Sequence, residues 1–118
     1  MIVTRGSFDP SAPAGAFVNL ANYGFDAEMD YVWVSNSDSI DHVIGLGFDD
    51  GTNMYPIATA NVPAGSGFGT LPPIEMIGHV PSLANTGIYI PSGLGLSVRL
   101  NEILTSGLVT FYAQGGSF

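Results

Sequence analysis

The 118-residue chain contains no cysteine and no lysine; Arg5 and Arg99 are its only basic residues besides two histidines. The missing thiols exclude disulfides, zinc–thiolate centres and cysteine nucleophiles. The missing cations count against nucleic acid and anionic membrane surfaces as partners, because both are held through phosphates neutralised by Lys and Arg. With ten acidic residues the formal net charge is −8. Charged residues of both signs make up only 10% of the chain, against about 25% in an ordinary globular domain. No apolar run is long enough to span a bilayer. The first residues, MIVTRGSFDPSAPAG, lack the apolar core of a secretion signal, so synthesis in the cytoplasm of the producing cell is expected. Helical periodicity is missing as well: no window sustains a 3.6-residue period over three turns.

What is present is a large apolar fraction, 46%, punctuated by 16 Gly and 8 Pro. Such a composition folds rather than staying disordered, and its length fits one domain. The sparsely charged surface fits coverage by other subunits. Short windows of period two dominate. In residues 93–101, Leu94, Leu96, Val98 and Leu100 alternate with Gly95, Ser97, Arg99 and Asn101, the pattern of a half-buried antiparallel strand. His42, Ile44, Leu46 and Phe48 alternate with Val43, Gly45, Gly47 and Asp49. Val109, Phe111 and Ala113 alternate with Leu108, Thr110 and Tyr112. Tyr31 to Val34, which holds the single Trp33, is apolar on both faces and so is expected to be covered on both, within the domain or by a neighbour.

Weaker strand signals cover residues 16–21, 54–60, 74–78 and 88–90. Turn signals separate them at Ser35–Ser39, Asp49–Gly51, Asn85–Gly87 and Thr105–Gly107. A single helical turn is expected near residues 101–104. About eight short strands at this spacing predict an all-β, antiparallel β-sandwich of jelly-roll or Greek-key type. Gly6, Pro10, Pro13 and Gly15 predict that residues 1–13 form an irregular extended arm, leaving 14–118 as the sandwich domain. Ile2, Val3, Arg5 and Phe8 on that arm, with Tyr112 on the aromatic surface, are the expected partner contacts.

Two stretches share one pattern: VPAGSGF at 62–68 and IPSGLGL at 90–96. A phosphate-binding loop needs its glycines followed by a helix, and usually a lysine. Leu71-Pro72-Pro73 follows the first stretch, where no helix can start cleanly, and the chain has no lysine. Both stretches are therefore read as Pro–Gly corners, with Pro63 and Pro91 at the second turn position and Gly65 and Gly93 at positive φ.

Catalytic signals are thin. His42 and His79 make a Ser–His–Asp arrangement arithmetically possible, but no nucleophile elbow is present. Asp49, Asp50, Gly51 and Asn53 resemble an acidic calcium loop without the EF-hand spacing, and a hairpin turn explains the same residues. Glu75 and Glu102 show no spacing that marks an acid–base pair. The reading is a non-enzyme with no cofactor and no resident metal. Tyr23, Phe25, Tyr31, Trp33, Tyr55, Tyr89 and Tyr112 could instead furnish a sugar-binding platform.

The run YVWVSNSDSIDHVIGLGFDDGTNMYPIATANVPAGSG, followed by IYIPSGLGLSVRLNEILTSGLVTFYAQGG, resembles small jelly-roll head decoration (cement) proteins of tailed bacteriophages. The likeness extends from Tyr31 towards the C-terminus. It lies in the order strand, Asn36-Ser37, Asp41-His42, strand, Asp50-Gly51, strand and VPAG, then the alternating halves after Pro91 and Thr105. The resemblance implies a structural virion protein on the head surface. It implies a homo-oligomer, with a trimer expected, that binds the major capsid protein. A carbohydrate- or receptor-binding module, or a tail or fibre component, is the alternative.

Overall fold

The period-two windows become strands. The structure, a computed structural model, describes residues 2–22, 24–69, 71–79 and 87–117. The strands are β1 (Ile2–Phe8), β2 (Phe17–Asn22), β3 (Ala27–Asn36), β4 (His42–Asp49), β5 (Met54–Val62), β6 (Ile74–Glu75), β7 (Ile88–Ile90), β8 (Gly95–Leu100) and β9 (Val109–Ser117). One 3₁₀ turn, Ile77–His79, lies between β6 and β7.

One sheet runs β1-β9-β3, with β6 and β7 both beside β3; the other runs β2-β8-β4-β5. All their strand pairings are antiparallel. Among the described strands only β4 and β5 form a simple hairpin. The other pairs nest outside it: β3 with β7, β2 with β8, β1 with β9. A long hairpin ribbon wound over itself in this way is a jelly roll. The expected all-β jelly-roll sandwich is thus the observed fold.

The alternating apolar residues meet between the sheets. Val32, Val34, Val109, Phe111 and Ala113 come from one side, and Ile44, Leu46, Leu96, Val98 and Leu100 from the other; all are at most 3% exposed. Met29, Met76 and Ile88 complete this core. Among the described residues no buried side-chain polar atom lacks a hydrogen-bond partner.

Four expectations are corrected. Residues 2–8 are not an irregular arm but an edge strand, paired with β9 from Ile2↔Gly115 to Phe8↔Val109. Gly6, read as a breaker, is required within the strand because a Cβ there would sit 2.7 Å from the Phe111 ring. Pro10 and Pro13 only shape the corner that follows. Phe8, expected at a partner surface, is 3% exposed and packs on Phe111 with ring centroids 5.7 Å apart. Burying a Phe of this size favours folding by about 2–3 kcal/mol, which outweighs the entropy of a free arm at that residue.

The helical turn near 101–104 does not form. Leu104 instead inserts into the core while residues 101–103 stay exposed. Finally, Ser97, expected on the open side of a half-buried strand, and Asp49, expected in a hairpin turn, are both buried. The two bond to each other, the Ser97 hydroxyl donating to Asp49, which also accepts from Asn19. Beside them the start of β5 crowds β4: a Cβ on Gly47 would collide with the Tyr55 and Pro56 backbone. The close approach coincides with a bulge opposite Leu46 and Gly47, where the register skips from Ala58 to Pro56. Proline is tolerated at such a bulged edge.

Candidate functional site

The sequence motifs resolve first, because most of them build the fold. The twin Pro–Gly stretches are turns closed by Ser66 N donating to Pro63 O (3.0 Å) and Leu94 N to Pro91 O (3.1 Å). Proline is therefore the first turn residue, not the second. The glycines at the third position, Gly65 (φ 86°) and Gly93 (φ 91°), carry the positive φ that was expected. That is the type II pattern, with Ala64 and Ser92 between. Neither turn presents a bare anion cradle. Gly65 N donates to Asn36 O (2.8 Å), and Gly67 N donates to Leu71 O (2.7 Å).

The polar run after β3 is a latch. Asn36 is fully buried; its amide donates to Ile40 O (2.9 Å) and Val62 O (3.0 Å), and its oxygen accepts from Asp38 N (2.8 Å). Asp38 lies 2.8 Å from His42 Nε2. It also accepts from Thr105 N (2.9 Å), from the Thr105 hydroxyl, and from Ser106 N (3.0 Å). Burial would raise the Asp38 carboxyl, but hydrogen bonds from His42, Thr105 and Ser39 outweigh it and hold the group well below the usual carboxylate range. His42 Nδ1 faces Asn101 Oδ1 at 3.2 Å. The pair is sealed from solvent and ties the β3–β4 and β8–β9 loops together. It is not placed to meet a substrate. His79 stands apart, exposed at the end of the 3₁₀ turn.

The acidic hairpin is likewise spoken for. Asp49 accepts from Asn19 Nδ2 (2.6 Å), Gly51 N (2.6 Å) and the Ser97 hydroxyl. Burial pushes its carboxyl up, and these three donors more than reverse the shift. Asp50 is lowered by the amides of Asn53 and Thr52, which donate at 2.8 and 2.9 Å. Glu75 caps the edge of β3, accepting from Val32 N (2.8 Å) and Gly78 N (2.8 Å). Among the described residues no three His, Asp or Glu side chains converge as a metal site would require.

A surface that these contacts leave open is the outer face of the β1-β9-β3 sheet. Register makes it a grid. Val3, Gln114 and Tyr31 form one row; Arg5, Tyr112 and Trp33 the next; Ser7, Thr110 and Ser35 the third. Tyr31 stacks on Trp33, with ring centroids 4.8 Å apart and planes 8° from parallel. Trp33 also approaches Tyr112 at 6.0 Å. Tyr112 donates to Gln114 Oε1 at 3.3 Å. A groove of about 670 Å³ opens over the two lower rows, walled by Arg5, Tyr112, Trp33 and Pro73.

Of the expected partner contacts, Arg5 and Tyr112 face each other in this grid, and Val3 (47% exposed) lies beside them. Ile2 sits half-buried at the start of β1, and Phe8 is in the core. Among the platform aromatics, Tyr31, Trp33 and Tyr112 converge here. Tyr55 lies by the β4–β5 turn, where its hydroxyl donates to Asp50 (3.2 Å). Tyr89 faces Asp26, which raises its hydroxyl pKa. Phe25 is exposed in the loop before β3. Tyr23, and Asn85 and Thr86 of the expected turn, lie outside the described residues. Ser7, Ser35 and Thr110 were not read as site residues from sequence: alternation set Thr110 beside Tyr112, but Ser7 lay in the expected arm and Ser35 in an expected turn, and only the pairing of β1 and β3 with β9 assembles them.

No protein-family model matches the chain, and no curated protein matches it. Two solved structures of a pentameric capsid protein isolated from metagenomic phage sequences align with the chain at TM-scores of 0.44 and 0.43 and at 14% and 11% identity. Each covers 96% of this chain, which spans about 60% of theirs. The CBM22-1–GH10 modules of Clostridium thermocellum endo-1,4-β-D-xylanase 10B, complexed with xylohexaose, align at TM-score 0.46 and 14% identity, over 98% of this chain and 25% of that one. At these similarities none of the three carries an argument about function.

Proposed function

We propose that the protein is a structural component of a bacteriophage particle: a decoration subunit that oligomerises, as a trimer, and binds the major capsid protein on the head surface. The observation that supports this reading best is the surface itself. Large apolar side chains stand exposed on both sheets, with Phe17 and Val43 on one and Val3, Tyr31 and Tyr112 on the other. Charged residues make up only 10% of the chain. Apolar surface spread over both faces of a sandwich fits coverage by neighbouring subunits. The jelly-roll framework suits a shell component, and the resemblance of residues 31–116 to head decoration proteins points the same way. The test is the native mass of the purified protein, with co-sedimentation on native and expanded capsids. A trimer that pellets with capsids supports the reading. A stable monomer that stays in the supernatant overturns it.

The convergence of Tyr31, Trp33 and Tyr112 favours a second reading, a carbohydrate-binding module of the virion. A glycan array without hits, together with unchanged host adsorption of phage lacking the gene, overturns that one.

A further inference from the structure

The groove over Ser7, Thr110 and Ser35 has a chemistry that the decoration reading does not use. We infer that it binds a carbohydrate bearing a carboxylate, with Trp33 and Tyr112 as the apolar wall and Arg5 as the anion anchor. The inference rests on the second reading, and it names the site and the ligand class.

Tyr31 covers one face of the Trp33 indole and does not line the groove; Ser35, on the other side of Trp33 along β3, does. The free indole face is therefore offered to the groove. A pyranose presents an apolar C–H face that packs on such a ring, while its hydroxyls need small polar partners at the edge. The hydroxyls of Ser7, Thr110 and Ser35 belong to register neighbours on three adjacent strands, that of Ser35 lying against Gly67. None of them bonds to another described residue. Neighbouring strands lie about 4.8 Å apart, so the row is as long as a disaccharide. The volume of about 670 Å³ lies within the range of small-molecule sites, about 300–1,000 Å³.

Arg5 selects the acid. The chain holds ten carboxylates, yet the only ion pair among the described residues is His42–Asp38. The Arg5 guanidinium, exposed at the groove wall, has no hydrogen-bond or ion-pair partner among the described residues. A guanidinium held beside aromatic rings in a protein of net charge −8 pairs with a carboxylate in a bidentate fork, a geometry a neutral sugar cannot match.

The test is an NMR titration of the whole chain with 3′-sialyllactose and digalacturonate, with lactose and cellobiose as neutral controls. The amides of Ser7, Ser35 and Thr110 and the Trp33 indole N–H are followed. The acidic sugars are expected to move these resonances at millimolar concentration and the neutral ones far less. Arg5→Gln is expected to weaken acidic-sugar binding about tenfold or more, the worth of a charge-assisted hydrogen bond, and to leave neutral-sugar shifts unchanged. Trp33→Ala is expected to abolish both. Native urea midpoints for the two variants establish that they fold. Unmoved groove resonances with both acidic sugars overturn the inference, as does an Arg5→Gln variant that keeps full acidic affinity. Shifts that track protein concentration without sugar also overturn it, and assign the groove to a second copy of the chain. Capsid co-sedimentation of the same variants separates the readings: decoration fails if wild type does not pellet, whatever the sugars do.

Discussion

Replacing Phe8 with alanine tests whether β1 belongs to the sandwich. The ring is 3% exposed and tilted against Phe111 at 5.7 Å, and the backbone around it is bonded to β9. A buried Phe→Ala change costs about 3–5 kcal/mol, from lost transfer energy plus the cavity left behind. Phe8 sits at the end of an edge strand, where the structure can partly collapse, so the lower half of that range, about 3–4 kcal/mol, is expected. With a urea m-value of about 1.5 kcal/mol per molar, in the range for small proteins, the midpoint falls by about 2–2.7 M. Trp33 is the only tryptophan and stands on the opposite face of the sheet, so its fluorescence reports unfolding without being perturbed directly. Val3→Ala on the same strand, at 47% exposure, serves as control and is expected to move stability by less than about 0.5 kcal/mol. The m-value must stay constant across the three proteins. If Phe8→Ala shifts the midpoint by less than about 0.5 M, the N-terminal residues are a loose arm after all and the β1–β9 pairing is wrong.

Three further outcomes are expected. Gly93→Val meets no atom within 4 Å of its new Cβ, so its cost is backbone strain at φ 91° alone, about 1–2 kcal/mol or about 5–10 °C in Tm; Gly93→Asn should lose clearly less by calorimetry, since Asn enters this region more readily. Leu96→Asp places a carboxylate at a fully buried position and should leave no cooperative transition by circular dichroism, because the penalty exceeds marginal stability. Asp38 has a folded pKa held below its unfolded value, so its stabilising contribution is complete above the unfolded pKa of about 4 and is lost as pH falls through the folded one. Urea midpoints of the wild type should therefore fall as pH drops below about 4, while Asp38→Asn starts lower at neutral pH and changes less with acid.

The strands that alternate cleanly were legible because their environment is set by the two sheets. Leu96, Val98 and Leu100, or Val109, Phe111 and Ala113, need only a core on one side. What escaped depends on contacts between distant residues. Gly6 reads as a breaker until Phe111, far along the chain, is seen to fill the space its side chain would take. Ser97 and Asp49 read as strand-face and turn residues until they are seen to bond each other and Asn19 of β2. Asn36, Asp38 and His42 read as loop and catalytic candidates, and became structural only when Val62, Asn101 and Thr105 supplied their partners. The grid of the outer face is the extreme case: Tyr112 and Trp33 sit on expected strands and Arg5 on what read as an arm, but nothing local to any of them says that β9 lies between β1 and β3.

The nested pairing of strands also fixes an order of assembly. β4 and β5 meet across the tight turn around Gly51, whereas β1 and β9 join residues 2–8 to residues 109–115. Closing that outermost pair first would cost the loop entropy of nearly the whole chain with little yet gained. Zipping outward from the β4–β5 tip lets each pair shorten the loop that the next must close. The route is long in sequence even so, which places folding on the slow millisecond-to-second scale of β-rich topologies. While the zipper is incomplete β9 has no partner on its β1 side, and the strand that carries Tyr112 is an open edge.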